Sequence, residues 1–178
     1  ALTSMNDGVR TAVHQGRNGL MDLQADWERL VSGLPEKRFF HHFHWYRSYL
    51  ENLEPEPQAV YFVALYRADL PVAIFPLKRS TRTMAGIPMR ILEIPRHSHS
   101  DLRDFIYERS PANTGLIPQL LSHLRQQRDI GWDLLSMTNV PEDSAAAFSL
   151  ESCPPARLVS VQQGASKSIP CCTPQGTA

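Results

Sequence analysis

The sequence predicts an α/β domain of the α+β kind, with a central, mostly antiparallel sheet flanked by helices. Three observations carry this. Two amphipathic helical patterns precede consecutive strand patterns with short links, the signature of an antiparallel meander. A longer helical stripe and one further strand pattern follow them. Hydrophobic residues make up 42% of the 178 positions, enough for one buried core or two small ones, and 20% charged residues is too ordinary for wholesale disorder.

The first twenty residues are polar, rich in Gly, Asn and Thr, and lack a period; they read as a flexible segment or a single strand. The domain proper is expected over residues 21–150. Asp22 stands at an N-cap position ahead of Leu23, Trp27, Leu30 and Val31, which recur at helical spacing, and Gly33 and Pro35 end that helix. Trp45, Tyr46, Tyr49, Leu50 and Leu53 share one face of a second helix, closed by the run Glu54 to Pro57. Ala59 to Tyr66 is apolar on both faces and rich in β-branched and aromatic residues, as a central strand is. Arg67 to Leu70 is a tight turn, and Pro71 to Arg79 returns as a second strand. Pro76 lacks an N–H and is expected to mark a bulge or the strand's end. Met89 to Ile94 is a third strand and Asp104 to Tyr107 a fourth.

Leu116, Ile117, Leu120, Leu121 and Leu124 then form one helical stripe. Pro118 fits only the first turn, which places the helix start near Asn113 or Thr114, and Gly131 ends it. Trp132 to Val140 is a further strand, and Pro141 to Ser144 starts a short helix. Residues 151–178 contain four prolines and no amphipathic period, so they read as an irregular tail.

Eighteen basic and eighteen acidic side chains give a formal charge of zero, which argues against a dedicated nucleic-acid or anionic-membrane binder. No run of about eighteen apolar residues exists, so no membrane span is expected. The stretch Ala1 to Gly16 has no apolar core of the signal-peptide kind, and a cytoplasmic location is expected. Cys153, Cys171 and Cys172 form an odd set clustered in the tail, a poor disulfide framework, and read as exposed thiols.

His41, His42 and His44, and then His97 and His99 beside Asp101 and Asp104, supply metal-ligand chemistry, and a His-based metal protein is one alternative reading. Adjacent His41 and His42 point apart on any regular element and no H-E-x-x-H pattern occurs, so surface histidines and no metal are the expectation. Trp27, Trp45 and Tyr49 lie on apolar stripes and read as core anchors. Lys78, Arg79, Arg82 and Arg90 form a basic stretch suited to an anionic ligand or to a solvated hairpin face. Ser136 and Thr138 have no evident Asp–His partners for a hydrolase triad.

Several pieces, in order, carry a family resemblance: D-W-E-R-L (26–30), F-F-H-H-F-H-W-Y-R-S-Y-L (39–50), V-A-L-Y-R-A-D-L-P-V-A-I-F-P-L-K-R-S (63–80), H-S-D-L-R-D-F-I (99–106) and W-D-L-L-S-M-T-N-V-P-E-D-S (132–144). Over residues 23–150 the chain resembles the CelD/BcsL-like branch of the GNAT acetyltransferases, named for bacterial cellulose biosynthesis. Those proteins resemble FemAB-type enzymes in having two tandem GNAT-like halves, and the chain resembles the amino-terminal half. The resemblance implies a GNAT-like fold, acetyl-CoA as donor, a sugar hydroxyl or amine as acceptor, and a carboxyl-terminal GNAT-like half or partner protein to complete the site. It places an aspartate at the entrance of the fourth strand, which makes Asp101 and Asp104 candidate proton acceptors with His99 as a neighbouring base. A loop cap is the plainer role for the same residues.

In the family a Q/R-x-x-G-x-G/A loop presents backbone N–H groups at a helix start to the CoA pyrophosphate. The corresponding segment here is Glu108 to Pro118, with candidate binding residues Arg109, Asn113, Thr114 and Gly115. Its single glycine and two prolines leave few donors. The expectation is therefore an acyltransferase-like domain that is not competent alone, or a non-catalytic interaction domain.

Overall fold

A computed structural model describes residues 8–96, 104–108, 110–127, 129–141, 143–144 and 146–147, with the backbone of 2–6. The strands are β1 (Leu2–Asn6), β2 (Val9–Gln15), β3 (Val60–Arg67), β4 (Leu70–Met84), β5 (Ile87–Glu93), β6 (Ile106–Tyr107) and β7 (Leu134–Ser136). The helices are α1 (Gly16–Asp22), α2 (Gln24–Gly33), α3 (Phe43–Asn52) and α4 (Leu116–Gln126). The sheet runs β1-β2-β3-β4-β5-β7, with β6 paired to β4. Every pairing is antiparallel except β5 with β7, which is parallel.

Strand periodicity divides the molecule into two cores. On β3, Phe62, Ala64 and Tyr66 turn to one face, where they pack with Leu20 of α1, Trp27 and Val31 of α2, and Tyr46, Tyr49 and Leu50 of α3. Tyr61, Val63 and Leu65 turn to the other, where Leu116, Ile117, Leu120 and Leu124 of α4 cover them. β3 is therefore buried on both sides along Val60 to Tyr66. Trp27 anchors the three-helix side: its ring meets Phe43, Tyr46 and Phe62, and its indole N–H donates to the His41 carbonyl.

Several elements differ from the sequence expectation. The first twenty residues hold two strands and the start of a helix, not one strand or a flexible segment. Gly16 permits the turn: its φ is +65°, and a Cβ there would come within 2.6 Å of the Gln58 side chain. Gly19 is just as confined, since a Cβ would lie 2.8 Å from the His14 backbone. Asp22 is the last residue of α1 rather than an N-cap; buried Leu23 caps α2 and its carbonyl accepts from the Trp27 N–H. Leu53 lies beyond α3 and is exposed.

Pro76 neither bulges nor ends β4, which continues to Met84; the register shift falls at Leu65/Tyr66. The reason lies on β4's far edge. β6 pairs there at Ala73 and Ile74 and β5 only from Lys78 onward, so among the described residues Pro76 has no strand partner on that edge and a missing N–H costs no ladder bond there. The fourth strand shrinks to β6 and joins β4 instead of extending the meander. α4 begins at Leu116, two to three residues later than expected, because Pro111–Asn113 forms a separate 3-10 turn. Pro118 is nevertheless in the first turn of the helix.

Candidate functional site

The sheet is interrupted beside β6. β7 pairs with β5 at Ile91↔Leu134, Leu92↔Leu135 and Glu93↔Ser136 and the ladder stops. After Glu93 the chain leaves β4's edge and returns as β6, opposite Ala73 and Ile74. Among the described residues, β6 thus has a strand on one side only. The chain from β6 enters the loop that leads to α4, so the start of that helix follows directly on the interrupted edge.

A CoA pyrophosphate would need the N–H groups of that helix start. Gly115, Leu116 and Ile117 carry the N–H groups that head the helix; Pro118 supplies none, and the Gln119 N–H is spent on the Gly115 carbonyl at 3.1 Å. Gly115 is exposed, and a Cβ placed on it would meet nothing within 4 Å. Asn113 is buried and its amide donates to the Glu108 carbonyl at 3.0 Å, while the Thr114 hydroxyl donates to the Pro111 carbonyl at 3.0 Å. Both side chains thus brace their own loop.

On the three-helix side, at the end of β5, lies a polar network that sequence reasoning missed. Glu54, just past α3, has a side chain only 1% exposed. It accepts from the Tyr49 hydroxyl, from the Glu56 N–H at 3.1 Å and from Lys78 Nζ at 2.8 Å. Burial alone would raise its pKa, but the hydrogen bonds from Lys78, Tyr49 and Glu56 outweigh it and hold the carboxyl below its ordinary range. Burial, then the bond to Glu54, pushes the Tyr49 phenol far above its usual value, so it stays a donor. Next to this group Glu93, also buried, receives Arg82 Nη2 on both oxygens, at 2.7 and 2.8 Å, and the Ser80 hydroxyl at 3.3 Å. Glu93 is the residue at which the β5–β7 ladder ends.

Lys78, Ser80 and Arg82 alternate along β4 and so share a face, a signal present in the sequence. Their carboxylate partners come from α3's end and from β5, and no local pattern joins them. The expected basic stretch is accordingly paired within the chain, with Arg82 and Arg90 still exposed on the hairpin. Arg79 donates to the Ile130 carbonyl and Arg90 forks onto Asp133.

Of the candidate catalytic residues, His99 and Asp101 lie outside the described residues, as do Arg109 and the three cysteines. Asp104 is buried, and its Oδ1 accepts from the N–H groups of Phe105 at 2.8 Å and Ala146 at 3.1 Å. It ties the entrance of β6 to the segment after β7. Tyr46 lies close enough for the Asp104 charge to add to burial in raising its phenol.

The clustered histidines do not converge: His42 and His44 are exposed, while His41 is buried, its Nδ1 accepting the Arg38 N–H at 3.3 Å. Burial first, then the Arg38 charge, lowers its pKa to about 4. Among the described residues no group of three or more His, Cys, Asp or Glu is placed to hold a metal ion, and no helix is long and apolar enough to cross a membrane.

No protein-family model and no curated protein matches the sequence. Solved structures do match the fold. A GNAT family acetyltransferase of Staphylococcus aureus superposes with a TM-score of 0.51 over 91% of this chain and 99% of its own, at 9% identity. A probable acetyltransferase gives 0.51 over 90% and 97%, at 12% identity. An integron cassette protein from the mobile metagenome of V. cholerae gives 0.51 over 93% and 95%, at 13% identity. With its central, mostly antiparallel sheet, helices on both faces and one parallel pair, the chain has the fold of the GNAT acetyltransferases.

Proposed function

We propose that this chain is a GNAT-type acyltransferase-like domain, related to the CelD/BcsL-like branch, which serves acyl-CoA-dependent transfer to a sugar hydroxyl or an amine and is not competent by itself. The observation that carries the proposal is the start of α4. It follows the fourth strand as the pyrophosphate loop of a GNAT fold does, yet Pro118 removes one donor from its first turn and the Gln119 N–H is spent on the Gly115 carbonyl. A second GNAT-like half or a partner protein would then hold the acyl-CoA. This chain would contribute a wall of the acceptor cleft, with His99, Asp101 and Asp104 as its polar residues and Arg109 as the cation nearest the loop. Titration calorimetry of the chain with acetyl-CoA tests this: absence of micromolar binding is expected, and micromolar binding would overturn the claim of incompetence.

A non-catalytic interaction domain is the second reading. It is favoured by the outer β4–β5 hairpin, which leaves Met84 46% and Ile87 64% exposed at its tip. A partner retained in a pull-down with the hairpin intact, and lost on Met84→Ser/Ile87→Ser, supports it; a monomer that retains no partner counts against it.

A further inference from the structure

We draw no further inference here: the strongest candidate, the apolar tip of the β4–β5 hairpin with Met84 and Ile87 exposed, is an unpartnered surface patch, and nothing among the described residues shows what covers it.

Discussion

At the scale of single residues, the Glu54 carboxylate is the most demanding group in the molecule. It is buried, ionised and held by Lys78, Tyr49 and the Glu56 backbone. Removing one partner strands a buried charge, whereas removing both charges does not. Lys78→Met should therefore cost about 3 kcal/mol in urea denaturation, and Lys78→Met/Glu54→Gln much less. Glu54's folded pKa lies below its ordinary 4.5, so its contribution is present above that pH and disappears as pH falls through the folded value.

His41 acts in a neighbouring window. Its folded pKa of about 4 lies below the ordinary 6.5, so the folded state disfavours the charged imidazole. Its contribution is complete above 6.5 and is lost as pH falls from there towards 4. The loss is at most about 3 kcal/mol. His41→Asn, which preserves an acceptor for the Arg38 N–H, should remove this part of the pH slope while Glu54's part at lower pH persists. Neither environment is legible in the sequence, because burial and the Lys78–Glu54 pairing arise only once α3 packs on the sheet.

At the scale of elements, the turns and strands show where local chemistry speaks and where neighbours overrule it. Ala68 and Asp69 both have positive φ, as do Ala85 and Gly86, so the β3–β4 and β4–β5 hairpins close through two-residue turns of the type that matches strand twist. An alanine at φ of +50° is disfavoured. Ala85→Asn would place the Asn-Gly pair this turn favours and should stabilise the protein by about 0.5–1 kcal/mol, read as a raised Tm.

The apolar run of β3 and the stripe of α4 were readable because their periods reflect the faces they bury. The strand β2 was not. It alternates only weakly, and its pairing with β3 from Val9↔Arg67 to Gln15↔Tyr61 is a long-range fact. Pro76 is tolerated for a reason of the same kind: between the β5 and β6 pairings it has no strand partner on β4's edge among the described residues, which no local signal announces.

At the scale of the whole molecule, two helices, a meander, a helix and a further strand were legible in order, while the parallel pairing of that strand with β5 was not; the superpositions on acetyltransferase structures agree with the architecture. The site was less legible. Its loop could be located from Gly115 and Pro118, but the carboxylates that the fold gathers, Glu54 and Glu93, lie 39 positions apart. They are brought together only because Lys78, opposite Glu93 across β4 and β5, reaches Glu54 past the end of α3. On this GNAT fold, we propose, the α4 start does not hold acyl-CoA in this chain alone. Calorimetric titration of the chain with acetyl-CoA tests it most directly. No saturable binding in the micromolar range is expected; a one-to-one isotherm with a micromolar Kd would contradict the proposal.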